Sequence, residues 1–380
     1  MYIQRKLEII LKNRLFDGKV LVLYGPRQAG KTTLVRRLVT GYGEQARFID
    51  CELLENRELL TRARSADFFS LVKGYKIVVF DEAQTIPDIG SILKSLYDHY
   101  PEVQYIATGS SSFDLANRVS EPLTGRSLEF ILYPLSLTEL GSNPFDAEQQ
   151  VLSLMRYGGY PDLQAVNEQE KILRLKTLIS QYLYKNVLSI GGVKKSDVMI
   201  RLVTLLAYQI GSEVSYSELS TRLKTSQQTV DRYIDILEKN FVIVRLGSFA
   251  GNMRNEVTRA KKIYFVDLGL RNAIIDLFSP IDPIRRNDVG ALFENCMVME
   301  RLKYLAHSGG VAAQSYFWRT FSQQEIDYIE KSGADLHAFE FTWNQTKKKK
   351  LPPAFAARYP GASFSIITPR EAFMFVSGRG

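Results

Sequence analysis

Cysteine and histidine are scarce in this chain. Its 380 residues hold two cysteines, Cys51 and Cys296, and three histidines, His99, His307 and His337. Neither cysteine has a nearby Cys or His partner, which excludes a disulfide framework and a zinc ribbon and suggests a reducing, cytoplasmic setting. Long apolar runs are missing too: no uninterrupted stretch approaches the roughly 20 residues that a membrane span requires. The first residues, Met1-Tyr-Ile-Gln-Arg-Lys-Leu-Glu8, carry charges where a leader would place its apolar segment. What remains is an ordinary globular composition, 45% apolar and 24% charged. Acidic residues are outnumbered. The net charge of +8 and pI near 9.2 favour a polyanionic partner. The length suits about two to three domains, each able to bury a core.

Against that background residues 20–32, Val-Leu-Val-Leu-Tyr-Gly-Pro-Arg-Gln-Ala-Gly-Lys-Thr, stand out. A short apolar run feeds directly into GxxxxGK[ST], a phosphate-binding loop. Gly25, Pro26, Arg27, Gln28, Ala29 and Gly30 form the loop, whose backbone N–H groups would cradle phosphates. Lys31 would reach the terminal phosphates and the Thr32 hydroxyl would ligate Mg²⁺. Thr33 and the residues after it begin a helix whose N-terminus completes the anion site. The ligand is ATP or GTP, with ATP and Mg²⁺ as the expected cofactors.

Beyond the loop, strand candidates at 45–51, 76–80, 103–108 and 127–132 alternate with amphipathic runs. That alternation predicts an α/β fold, a parallel sheet covered by helices, with ligands at the carboxyl ends of its strands. Ile77-Val-Val-Phe80 ends in Asp81-Glu82, a Walker B pattern in which Asp81 serves the metal and Glu82 deprotonates the attacking water. The next strand ends in Thr108-Gly109-Ser110, so Thr108 or Ser110 would sense the γ-phosphate. Arg126, in Leu123-Thr-Gly-Arg126, would act as an arginine finger toward a neighbouring subunit, which requires a homo-oligomer such as a hexamer.

The segments GPRQAGKTTL, VVFDEAQ, ATGSSS, LTGR, YPLSLTEL and GGYP (Gly158–Pro161) occur in an order that resembles one archaeal and bacterial branch of the AAA+ ATPases, whose members carry a conserved C-terminal domain. The resemblance runs from about Lys19 to Trp343. It implies an AAA+ core with Asp81 and Glu82 as metal-side and catalytic carboxylates, and it supports Arg126 as a finger. No motif marks a second sensor arginine; Arg156 and Arg174 are the candidates.

The expected division is an ATPase core over 1–147, a helical lid over 148–192, a winged helix over 193–257 and a nuclease-like α/β domain over 258–380. In the third part, helix, helix, turn, helix, strand and loop follow in winged helix-turn-helix order. Its third helix would offer Gln227, Gln228, Thr229 and Arg232 to DNA. Arg245, Asn252 and Arg254 would sit in or beside the wing. The competing reading is a packing module that never meets DNA. In the last part, residues 261–270 read as a strand ending in a turn. Glu294 on a helix, and Asp327 and Glu340 on strands, match a restriction-endonuclease-like constellation. Thr342 stands where its lysine is expected, and the cations at 347–350 would have to fold back. The domain is therefore expected to have the shape of a nuclease without its activity.

Three functions compete on sequence alone. The chain could be an ATPase that couples turnover to remodelling of DNA, branched or junction DNA included. It could be a regulatory nucleotide switch whose later domains bind protein, or an ATP-dependent nuclease. None of the three calls for a membrane.

Overall fold

The computed structural model describes residues 2–62, 65–110, 122–141, 145–181, 196–250, 261–307, 313–320, 322–346 and 349–378. They fall into two compact units, Tyr2–Pro134 with Lys239–Phe241, and Leu135–Glu238 with Val242–Gly380.

In the first unit the elements run α1 (Lys6–Lys12), β1 (Val20–Tyr24), α2 (Lys31–Val39), β2 (Ala46–Asp50), α3 (Leu54–Arg62), α4 (Ser65–Val72), β3 (Ile77–Asp81), α5 (Ile89–His99), β4 (Gln104–Gly109) and β5 (Ser127–Ile131). The sheet order is β2-β3-β4-β1-β5, and every neighbouring pair is parallel. Strands β1, β3 and β4 are buried along their whole length, which is why they read as unbroken apolar runs with no polar alternation. Leu21, Leu23, Ile77, Val79 and Ile106 pack on Leu34, Val35 and Leu38 of α2 and on Leu7 and Leu11 of α1. The register pairs Tyr24 with Gly109 and Phe80 with Ala107. The loop after β1, Glu82 after β3 and Ser110 after β4 therefore emerge at one edge of the sheet.

The second unit continues with α6 (Leu137–Leu140), α7 (Ala147–Tyr157), α8 (Glu168–Leu178), α9 (Ser196–Tyr208), β6 (Glu213–Val214), α10 (Tyr216–Leu223), α11 (Gln227–Lys239), β7 (Ile243–Ser248) and β8 (Lys261–Phe265). Next come α12 (Leu268–Ile274), α13 (Val289–His307), β9 (Gln314–Arg319), β10 (Glu325–Ser332), β11 (Asp335–Phe341), α14 (Pro353–Arg358), β12 (Ser363–Ile367) and α15 (Ala372–Ser377). Seven strands form one sheet in the order β12-β11-β10-β9-β7-β8-β6. Strand β8 pairs antiparallel with β7, from Ile243 opposite Phe265 to Leu246 opposite Lys262. In turn, β7 joins β9 in parallel at Gly247–Tyr316 and Ser248–Phe317. A hairpin following three helices is thus continuous with the C-terminal strands.

The strand expected over 261–270 does not end in a turn. It passes into α12, because the Asp267 side chain accepts from Leu270 N at 3.1 Å and caps the helix. The same carboxylate accepts from Gly159 N at 2.7 Å. At neighbouring Gly158 (φ +74°) a Cβ would fall 1.9 Å from Asp267 Oδ1, so the glycines of GGYP admit the buried Asp267.

Candidate nucleotide site

Gly25 leaves β1 with φ +152°, and a Cβ there would lie 2.2 Å from the Leu132 carbonyl oxygen. Only glycine fits so close an approach. The chain curls through Pro26, Arg27, Gln28 (φ +61°) and the buried Ala29, and reaches Gly30 (φ +96°) at the N-cap of α2. Thr33 is exposed on the first turn of that helix. Arg27 lies 3.9 Å from Glu52 at the loop's outer side. Lys31 is buried, and its Nζ donates to the carbonyls of Gly25 at 2.9 Å and Pro26 at 3.0 Å. Burial pulls this ammonium down to about 8, and the charges of Glu82 and Asp81 oppose the fall. Thr32 Oγ1 donates to Asp81 Oδ2 at 2.8 Å, and Thr108 Oγ1 donates to Asp81 Oδ1. A hydroxyl and a carboxylate side by side are hard oxygen ligands, which fits Mg²⁺. The carbonyl-held lysine and the glycine-lined curve fit a polyphosphate.

Glu82 takes a left-handed backbone (φ +50°), and its N–H donates to Thr108 Oγ1 at 3.1 Å. Gln84 Nε2 donates to Glu82 Oε2 at 2.6 Å and to Ser110 Oγ at 3.2 Å. The structure therefore gathers Lys31, Thr32, Asp81, Glu82, Thr108 and Ser110. It does not bring Arg126 to them. The Arg126 carbonyl accepts from Val20 N at 2.9 Å, at the opposite end of β1 from the loop. A five-residue strand separates them by roughly 16 Å. The Arg126 guanidinium pairs with Asp98 at 3.0 Å on the surface.

Two contributors had escaped sequence reading. Gln84 carries a signal in hindsight, two residues beyond Glu82. Arg5 carries none: it is a buried arginine before α1, donating to the Ala29 carbonyl at 2.8 Å and to the Tyr133 carbonyl at 2.6 Å. It braces the loop from behind. Of the sensor candidates, Arg156 pairs with Glu168 at 3.0 Å and Arg174 with Glu170 at 2.8 Å.

In α11, Gln227, Gln228 and Arg232 are exposed, while Thr229 is half-buried and donates its N–H to Ser226 Oγ at 3.1 Å. Asn252 and Arg254 lie outside the described residues. Arg245 does not face outward as expected. It pairs with Asp235 and Glu238, and lies 3.7 Å from Asp231, so three carboxylates of α11 hold it in place.

The C-terminal constellation does assemble. Lys262, from β8, pairs with Glu294 at 2.9 Å and Glu325 at 2.5 Å, and Tyr264 donates to Glu294 Oε1 at 2.7 Å. Thr342 is buried, and its hydroxyl donates to the Asn344 carbonyl at 3.3 Å. The cation comes from further along, where Lys349 folds back to pair with Glu340 and lies 3.5 Å from Asp327. Burial and the charge of Asp327 push the Glu340 carboxyl up, and burial does the same to Glu294 against the pull of Lys262. Burial alone would lower Lys262; Glu294, Asp327 and Glu325 together raise it. No group of three or more His, Cys, Asp or Glu poised to hold a metal occurs among the described residues. No helix among them is long and apolar enough to cross a membrane.

A parallel sheet whose first strand feeds a glycine loop and helix defines a P-loop core of the AAA class. Comparison with known proteins agrees. The sequence matches the AAA domain over residues 17–141, then "Domain of unknown function (DUF8612)" over 148–280 and "Domain of unknown function (DUF4143)" over 289–376. An uncharacterized protein of Mycobacterium tuberculosis is 31% identical over 368 residues, spanning 96% of this chain and 78% of that protein. One from Haemophilus influenzae is 25% identical over 208 residues, spanning 52% of each. Among solved structures, the Thermotoga maritima RuvB Holliday junction branch migration motor covers 64% of this chain and 90% of its own, at 16% identity and a TM-score of 0.31. The chain belongs to the family of the mycobacterial protein, AAA-domain proteins with two further domains of unknown function.

Proposed function

We propose that this protein binds and hydrolyses ATP. The observation that carries the reading is the convergence of Lys31, Thr32, Asp81 and Glu82 at the carboxyl edge of the parallel sheet. Loop N–H groups from Gly25 to Thr33 and the Lys31 ammonium bind the β- and γ-phosphates. Mg²⁺, held through Thr32 and Asp81, would neutralise charge on those phosphates. Glu82 takes a proton from water as its oxygen bonds to the γ-phosphorus. The bond to the β–γ bridging oxygen breaks, and ADP and inorganic phosphate leave. Thr108 fixes Asp81 and the Glu82 N–H, while Ser110 stands where a γ-phosphate contact would form. Arg126 cannot serve its own nucleotide across the length of β1, so its role as a finger belongs to a homo-oligomer. The test is steady-state ATP turnover by the parent and Glu82→Gln; equal rates would overturn the catalytic assignment.

We further propose that turnover is coupled to DNA, branched or junction DNA included. Support comes from the +8 charge, from three helices followed by a hairpin in winged-helix order, and from the exposed Gln227, Gln228 and Arg232 on the third helix. Arg254 belongs to this proposal as a wing residue. The second reading, a nucleotide switch that binds protein, draws on Arg245. Its charge is spent within α11, and Asp231 and Asp235 make one side of that helix acidic. DNA affinity measured against salt separates the two, since phosphate contacts are lost steeply as ionic strength rises. For the C-terminal domain we propose a nuclease-like fold that does not cut: Glu294, Asp327 and Glu340 are committed to Lys262 and Lys349, and Thr342 is no cation. Cleavage with Mg²⁺ that disappears in Asp327→Ala would overturn this.

A further inference from the structure

We infer that Gln84 is a positioning residue that restrains Glu82 until a γ-phosphate draws it away, an inference that rests on the ATPase reading. The restraint is built from the turn after β3. Glu82 holds a left-handed conformation that non-glycine residues seldom adopt, fixed by its N–H bond to Thr108 Oγ1 at 3.1 Å. Its carbonyl accepts from Thr85 N at 3.1 Å and Thr85 Oγ1 at 3.0 Å. That turn brings the Gln84 carboxamide back to the carboxylate it follows.

A carboxamide nitrogen carries two hydrogens, and both are engaged here: one on Glu82 Oε2 at 2.6 Å, the other on Ser110 Oγ at 3.2 Å. The first bond has two chemical consequences. It occupies an oxygen that a water proton would need, and it stabilises the ionised carboxylate, which makes a weaker base. The second bond ties the restraint to the end of β4. Ser110 is buried, and a hydroxyl that accepts from Gln84 still has its own proton to give. The γ-phosphate oxygens are acceptors only, and more negative than a serine oxygen. A triphosphate whose end reaches Ser110 therefore competes for the same amide hydrogens. Gln84 turns toward the phosphate, and Glu82 recovers its basic oxygen. A diphosphate lacks the group that releases the gate. Glu82 lies close enough to Lys31 for its charge to act there, so gate and phosphate share one site.

The experiment is ATP turnover by Gln84→Met, which keeps the side chain's length and removes its donors. Because the restraint is gone, kcat rises about 3- to 10-fold with KM within about twofold of the parent, a span inside that of general-base effects. Ser110→Ala, which cuts the link to the phosphate, lowers kcat about 10-fold in the parent and leaves Gln84→Met unchanged. A fall in kcat for Gln84→Met would overturn the inference, as would an equal loss from Ser110→Ala in both backgrounds. Should Gln84→Met melt before assay, Gln84→Ala gives the same readout. Failure of the underlying ATPase reading looks different: parent and Glu82→Gln would then turn over at the same rate.

Discussion

The phosphate loop and the C-terminal carboxylate cluster use the same ingredients, buried lysine and paired acids, and arrange them oppositely. Around the loop, Lys31 leans on two backbone carbonyls, and Asp81 accepts from two neutral hydroxyls. These partners are easily exchanged. A phosphate can take over the ammonium and a divalent cation can take over Asp81 without leaving a charge stranded. In the C-terminal cluster each lysine is ion-paired, Lys262 with Glu294 and Glu325, Lys349 with Glu340 and Asp327. Displacing either lysine leaves buried carboxylates uncompensated, which is costly. The number of charges does not separate a ligand site from a structural network. What separates them is whether the partners are neutral and replaceable.

That contrast can be broken at several points. Glu82→Gln should cut ATP turnover by about 10³-fold while keeping ATP bound, because only the proton acceptor is lost. Arg126→Ala should bring a comparable loss, about 10³-fold, in assembled protein only; the same loss in a demonstrated monomer would exclude the finger in trans. Lys262→Met should destabilise the protein by about 3 kcal/mol, seen as a drop in Tm of about 6–12 °C, since it strands Glu294 and Glu325. Lys31→Met, which removes an ammonium that burial already disfavours, should leave Tm within about 2 °C. If Lys31→Met proved the more damaging to stability, the distinction drawn above would fail. The smallest effect belongs to α11, where Arg232→Ala should cost about 1 kcal/mol of DNA affinity and reduce the salt slope by about 1.

Much of the nucleotide site was legible because it is local. Gly25 to Thr33 are contiguous, and Asp81-Glu82 ends an apolar run whose burial on both faces is written into its composition. Parallel strands then bring these segments to one edge by topology alone. Non-local chemistry was hidden. Nothing in the neighbourhood of Tyr316 says that it will pair with Gly247, so the continuity of the β7–β8 hairpin with β9 was missed. Lys349 comes from beyond β11, and only the return of the chain brings it to Glu340. Arg245 looked like a surface cation until α11 was seen to set three acids, one helical turn apart, against it. Arg5 is tied to the loop by backbone carbonyls, which every residue has, so its role leaves no pattern in the sequence.

Titration of the purified protein and of Lys31→Ala with a fluorescent, slowly hydrolysed ATP analogue in the presence of Mg²⁺ tests the central claim most directly. The account predicts saturable binding by the parent and an affinity at least about 10²-fold weaker in the variant, from loss of a charge-assisted contact. No binding by the parent, or equal binding by both proteins, would contradict it.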